Sequence, residues 1–95
     1  MTRGETLDKA KDIVLGDRQT QYGRPEDVFA DIARMWSVYL GMGIEPADVA
    51  ILMILLKTAR SRNSGHQHLD SWVDIAGYAA CGAELATEER EEPFT

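Results

Sequence analysis

The longest apolar run of the chain is Val49–Leu56, eight successive residues with no polar position among them. A helix that is apolar on every side has to be covered by other elements. Pro46 and Asp48 are typical of a helix N-terminus, and Lys57 and Arg60 are typical of a last turn. A buried strand is the alternative, but strands lack this N-terminal pattern and usually end sooner. The pattern therefore predicts the central helix of a small bundle.

Helical spacing of apolar residues also predicts a first helix over residues 5–15 and a fourth helix that begins near Asp70 or Ser71. Two glycines, Gly77 and Gly82, interrupt the fourth helix, and each costs roughly 1 kcal/mol relative to alanine. Several alanines flank them. We therefore expect another helix to approach the fourth helix closely at these positions.

The second helix is predicted to begin at Pro25 and to end at the glycines that start with Gly41. At 100° per residue, four apolar residues fall within a narrow stripe and are predicted to form its core face: Val28, Ile32, Met35 and Tyr39. Asp31 lies at the margin of this stripe, with Asp27 one turn earlier. Two carboxylates in this position either bind a metal or are simply solvated.

The length of 95 residues indicates one domain with a thin core. We expect a single all-α domain over residues 1–86, built as a four-helix bundle, and a frayed, charged tail over residues 87–95. Covering a helix that is apolar on every side takes at least three neighbours, which is all that this chain supplies. Self-association into a dimer or a tetramer is therefore predicted.

The net charge of −6 argues against general nucleic-acid binding but permits a local basic pocket for a small phosphate-bearing ligand. The apolar run is far shorter than the ~20 residues that cross a bilayer, so no membrane association is expected. Cys81 is the single cysteine and is predicted to be a small core residue. No charged-then-apolar leader opens the sequence, so a cytoplasmic location is the expectation.

Asp74 is the most informative candidate residue, because its helical position directs a carboxylate toward an apolar interface. An unpaired carboxylate there would cost several kcal/mol, so a partner is expected. Lys57 is the first candidate and Arg60, one turn further along, is the second. Such a pair either fixes the register of two helices or belongs to a ligand or metal site, where perturbed ionisable groups gather.

Two polar segments carry further candidates. In the long loop before the second helix, Arg18, Tyr22 and Arg24 combine guanidinium groups for phosphate with a ring for stacking, a set that suits a nucleotide; an ordinary surface connection is the alternative. Before the fourth helix, the sequence H-x-H-x-D ends in His68 and Asp70. The histidine is predicted to form hydrogen bonds or to contact phosphate rather than to bind zinc, and the aspartate either caps the helix or binds a metal.

Three segments together resemble a family of small phage and prophage proteins: GDR…YG…PED at 16–27, LLKTAR at 55–60 and H-x-D-S-W-x-D-I-A-G-Y at 68–78. That family is in turn similar, more distantly, to all-α nucleotide pyrophosphohydrolases of the MazG-like kind. The resemblance implies a helical oligomer that binds Mg²⁺ through acidic residues on two helices and splits nucleoside triphosphates to monophosphates. MazG-like enzymes carry E-x-x-E and E-x-x-D pairs. Here Asp74 matches the final acid, but Ser71 stands three positions before it.

Three classes of function follow. The first is an Mg²⁺-dependent nucleotide pyrophosphohydrolase, with Asp74 and Lys57 in the catalytic site; its metal ligands would be Asp31, Asp70 and Asp74, and Arg18, Lys57 and Arg60 would bind phosphate. The second is a non-catalytic protein that sequesters a signalling nucleotide without a metal, through Arg18, Tyr22, Arg24, Lys57 and His68. The third is a structural or partner-binding helical module.

Overall fold

The computed structural model describes residues 1–16 and 24–90, and the described residues form four α-helices without a strand. The helices are α1 (Arg3–Leu15), α2 (Pro25–Leu40), α3 (Pro46–Asn63) and α4 (Leu69–Arg90). The prediction of an all-α chain is confirmed. The helix α4 continues past the predicted domain boundary at residue 86, and the rest of the predicted tail, residues 91–95, lies outside the described part.

Local sequence accounts for most helix ends. Thr2 and Glu5 form a capping box that starts α1 two residues before the predicted position. The helix α2 begins at Pro25, as predicted, and ends where Gly41 takes a left-handed conformation (φ 68°) and donates its N–H to the carbonyl of Ser37. Such a φ is strained for other residues, so glycine is the residue that this turn requires.

The core lies where α2, α3 and α4 meet. Its buried members come from all three helices: Phe29, Ala33, Val49, Ala50 and Leu85. The helix α4 packs along α3 and also carries α1 on another side. Both predicted close approaches are confirmed, because a Cβ at Gly77 would lie 3.3 Å from Val14 of α1, and one at Gly82 would lie 3.0 Å from Ala50 of α3.

The predicted core face of α2 is partly wrong. Met35 and Tyr39 are 62% and 88% exposed, whereas Phe29 and Ala33 are buried. The periodicity of large apolar side chains misses this face because a small residue such as Ala33 lets the helices approach most closely. The buried face of α2 is therefore rotated relative to the stripe of its largest apolar residues.

The central helix is not enclosed within one chain. Val49 and Ala50 are fully buried against α2 and α4, but four large aliphatic residues of the same run are 38–58% exposed. These residues are Ile51, Leu52, Leu55 and Leu56. A single chain therefore leaves part of α3 uncovered, because α2 and α4 contact one side of it only, and the expected self-association stays a prediction.

Candidate functional site

An ion pair joins α3 and α4, the two helices that share the largest interface among the described residues. Lys57 Nζ lies 3.0 Å from Asp74 Oδ2, and the two side chains are only 14% and 19% exposed. Their helical positions explain this, because Lys57 continues the inward face of α3 that Val49 and Met53 form nearer its N-terminus. The predicted pairing of Asp74 with Lys57, rather than with Arg60, is confirmed.

Polar side chains continue the interface toward the α3–α4 turn. Ser61 follows the lysine of the pair by one turn, Ser71 precedes the aspartate by one turn, and the two serines are 2% and 0% exposed. Each lies near an imidazole: His66 Nδ1 is 3.4 Å from Ser61 Oγ, and His68 Nδ1 is 2.6 Å from Ser71 Oγ. We call the six residues the polar cluster: Lys57, Ser61, His66, His68, Ser71 and Asp74.

The turn itself is held in a specific conformation. His66 has a left-handed backbone (φ 67°), which costs roughly 1–3 kcal/mol for a residue with a side chain. The N–H of His66 donates to the carbonyl of Ser61 at 2.7 Å, and Trp72 Nε1–H donates to the carbonyl of His66 at 3.0 Å. The Trp72 ring is 45% exposed and lies 6.3 Å from the imidazole, centroid to centroid. An aromatic surface therefore borders the polar cluster.

Positive charge concentrates at the same end of the molecule. Residues 57–68 include Lys57, Arg60 and Arg62 but no carboxylate, in a chain whose net charge is −6. Arg60 lies one turn beyond Lys57 and is exposed. Cations are favoured at a helix C-terminus by the helix dipole, which accounts for their presence without a ligand. Their position beside the polar cluster still makes this end the part of the described surface best suited to an anion.

The three carboxylates predicted to bind a metal are not brought together. Asp31 pairs with Arg34 on the exposed side of α2, and Asp70, in the first turn of α4, lies 3.7 Å from Lys9 of α1. Asp74 faces the interior and pairs with the lysine of α3. Among the described residues, no three His, Cys, Asp or Glu side chains are grouped so as to hold a metal ion. The described residues therefore do not fit the predicted Mg²⁺ site, because each of the three carboxylates pairs with a cation of its own.

Of the three candidates in the loop before α2, Arg24 belongs to the described residues. Arg18 and Tyr22 lie outside the described residues, so their convergence with Lys57 stays a prediction. Arg24 directly precedes α2, and its Nε lies 2.6 Å from Glu26 Oε2. Glu26, the first carboxylate of the P-E-D segment that opens α2, therefore pairs with Arg24.

A cleft also lies between α1 and α4. This cleft has a volume of about 240 Å³ and is lined mainly by small and aliphatic side chains. Cys81 lies on its wall, where burial raises the pKa of the thiol, and the charges of Glu84 and Glu26 raise it further. A thiol in this environment stays protonated at neutral pH, and Cys81 packs partly buried against the core, which agrees with the prediction of a small core residue.

Three residues that border the Lys57–Asp74 pair or the turn have no counterpart among the predicted site residues. Ser61 and Ser71 occupy inward positions next to the charged pair, and Trp72 packs on the turn. The sequence alone could have indicated the two serines, because each lies three or four positions from a member of the pair and therefore shares its helix face. The role of Trp72 depends on the path of the turn, which spacing does not reveal.

Fold and site together define a small all-helical protein with a polar cluster at the end of the interface between its two main helices. The chain belongs to the family of a domain of unknown function (DUF6378), whose model matches residues 5–86. It is similar to the Gene 55 protein of Mycobacterium phage D29, with 44% identity over 85 residues, and to the Gene 55 protein of Mycobacterium phage L5, with 41% identity over 86 residues. The expected membership of a phage protein family is confirmed.

Each alignment covers 90% of this chain but only 56% of the D29 protein and 54% of the L5 protein. The chain thus spans about half the length of the curated relatives that it matches. No solved structure matches it significantly. In the described part of the chain, none of the helices has the length and apolar content needed to cross a membrane.

Proposed function

We propose that this protein binds a nucleotide, without cleaving it, at the end of the α3–α4 interface where the polar cluster meets Arg60. The observation that carries the proposal is the Lys57–Asp74 pair, which sits nearly buried between two helices, with imidazole and guanidinium groups on the adjoining turns. Such groups donate charge-assisted hydrogen bonds to phosphate oxygens. A protein of this kind, encoded by a phage, would act in the cytoplasm of the infected cell.

Each group has a distinct part in this proposal. Asp74 positions the ammonium group of Lys57, and Ser71 orients His68 through its Nδ1, which leaves Nε2 as the second ring nitrogen for a ligand. Arg60 supplies an exposed guanidinium for bidentate contact with phosphate. Asp31, Asp70 and Asp74, by contrast, pair with three separate cations, and this separation favours binding over metal-assisted cleavage.

The likeness to MazG-like enzymes supplies a second candidate function, Mg²⁺-dependent cleavage of a nucleoside triphosphate to a monophosphate. It is favoured by one observation: Asp74, which matches the final acid of the E-x-x-D pair, lies in a helix interface beside a lysine. Since the described residues do not gather further carboxylates around Asp74, we assign no metal ligands and no step of the reaction.

Nucleotide binding is tested by thermal shift and tryptophan fluorescence against nucleoside mono-, di- and triphosphates and cyclic nucleotides. Each nucleotide is tested with Mg²⁺ and with EDTA, and is then analysed by chromatography. We expect a shift that persists in EDTA and a ligand that is recovered unchanged. Appearance of a monophosphate and pyrophosphate only when Mg²⁺ is present would instead establish the second candidate.

Two arginine variants locate the site. Arg60→Gln should weaken binding about fivefold to tenfold, because one charge-assisted contact to phosphate is lost. Arg34→Gln removes the same charge from α2, where the guanidinium pairs with Asp31, and should leave binding unchanged. Equal effects of the two variants, or no response to any nucleotide, would refute the proposed site.

A further inference from the structure

The outer face of α3, opposite the face that packs on α4, carries aliphatic residues along its middle and one charged residue at each end. Five residues lie within about 40° of its centre at 100° per residue: Asp48, Leu52, Leu55, Ala59 and Arg62. Ile51 and Leu56 flank them. Leu55, at the middle, is 58% exposed, and the three other large aliphatic side chains are 38–57% exposed. Helical proteins that remain single chains rarely expose so continuous an aliphatic stripe.

The charges on this face lie only at its two ends. Asp48 is in the first turn of α3 and Arg62 is in the last, about 21 Å apart along the axis. Leu55 is seven residues from each of them, so the three follow the spacing of a left-handed helix pair. One oxygen of Asp48, Oδ2, accepts the N–H of Glu45, and the second oxygen is a further acceptor.

This pattern is complementary to itself when reversed. A copy of α3 placed antiparallel sets Asp48 against the copy's Arg62 and Arg62 against the copy's Asp48, while leucine meets leucine at the middle. A parallel copy would set like charges against each other at both ends. Charge and apolar pattern thus favour one occupant in one orientation.

We propose that a second copy of this chain packs antiparallel along the outer face of α3, with the two-fold axis beside Leu55. Each copy then covers the aliphatic residues that the other leaves exposed, and two Asp48–Arg62 pairs close the ends of the interface. The contact surface is isologous, as in most dimers of identical chains. It lies on the opposite side of α3 from Lys57 and so does not depend on the proposed nucleotide site.

Sedimentation velocity of the wild-type chain and of Leu55→Glu tests the interface. The variant would place two carboxylates against each other on the two-fold axis, and we expect the dissociation constant of the dimer to rise by about 100-fold or more. Leu69→Glu is the matched control, because Leu69 is 50% exposed at the start of α4 and lies off the outer face. Circular dichroism should show that both variants keep their helices, since neither leucine is buried.

Cysteine cross-linking tests the orientation in a Cys81→Ser background. Leu55→Cys should form a disulfide between two copies, because facing helices ~8–10 Å apart bring α-carbons at the axis within disulfide range. Ala59→Cys should not, because antiparallel packing separates the two cysteines by about 12 Å along the axis. A disulfide at position 59 would indicate parallel helices and overturn the proposed orientation, because a parallel copy sets positions 55 and 59 each opposite its own counterpart.

Two results would overturn the interface itself. One is a wild-type chain that stays monomeric at concentrations of tens of micromolar. The other is a dimer that neither weakens with Leu55→Glu nor cross-links through Leu55→Cys, which would place the contact on another surface. Retained nucleotide binding in a monomeric Leu55→Glu variant would be compatible with both proposals, since they concern opposite faces of α3.

Discussion

Replacing Asp74 by asparagine removes the negative charge of the Lys57–Asp74 pair while keeping the shape of the side chain. The ammonium group of Lys57 would then lie 3.0 Å from the position of a neutral amide, with only 14% of the lysine side chain exposed to water. Exposed ion pairs contribute about 0–1 kcal/mol, and removing one partner of a fully buried pair costs about 3–5 kcal/mol. The partial burial of this pair places the expected loss near 2 kcal/mol.

This loss is large for a chain of 95 residues. A domain of this size changes its melting temperature by roughly 4–8 °C per kcal/mol, so Asp74→Asn should melt about 10 °C lower. Urea unfolding followed by circular dichroism measures the same change at 25 °C. All variants must be compared at one protein concentration, because self-association would add to the apparent stability.

A matched variant and a double mutant show whether burial is the cause. Asp31→Asn removes an equivalent carboxylate whose side chain is 64% exposed in its pair with Arg34, and should cost less than about 0.5 kcal/mol. Lys57→Met combined with Asp74→Leu replaces the pair by apolar side chains and should recover most of the stability that each single change loses. The reasoning is refuted if Asp74→Asn costs no more than Asp31→Asn.

Two further predictions concern packing around α4. Gly82→Ala should lower the free energy of unfolding by about 1 kcal/mol despite the better helix propensity of alanine, because the added Cβ would lie 3.0 Å from the Ala50 Cβ on a neighbouring helix. Gly77→Ala meets only the side-chain end of Val14 at 3.3 Å, so urea unfolding should show no loss or a gain of up to about 1 kcal/mol; equal effects would contradict this distinction. The Cys81 thiol, whose pKa burial raises above its ordinary value of 9.0, should react with iodoacetamide at pH 8 more slowly in the folded chain than in urea, and equal rates would show that it is not shielded.

Much of the helical framework follows from local sequence. Pro25 and Gly41 mark the two ends of α2, and the predicted positions agree with the structure because the fixed φ of proline and the left-handed conformation of glycine act within one turn. The pairing of Lys57 with Asp74 was also predictable. A charged residue on an apolar helix face needs a partner, and α3 and α4 each have one such residue at an inward position.

The predicted carboxylate site shows where this reasoning stops. Asp31, Asp70 and Asp74 each satisfied a local criterion, such as the margin of an apolar stripe or the start of a helix. Whether three carboxylates share one metal depends on how helices are rotated about their axes, and a rotation of 100° is a shift of only one residue. In the described structure they face three different cations.

The sequence by itself determined the four helices, the two ends of α2 and the charged pair that joins α3 to α4, because these depend on spacing within a turn or on the cost of an unpaired charge. Tertiary structure alone decided which face of α2 is buried and how much of α3 is covered. On α2 the small Ala33 is buried while Met35 is exposed, since close approach of helices rewards small side chains as well as large ones. The tertiary structure also leaves about half of the apolar helix α3 uncovered, because α2 and α4 both pack on its opposite side.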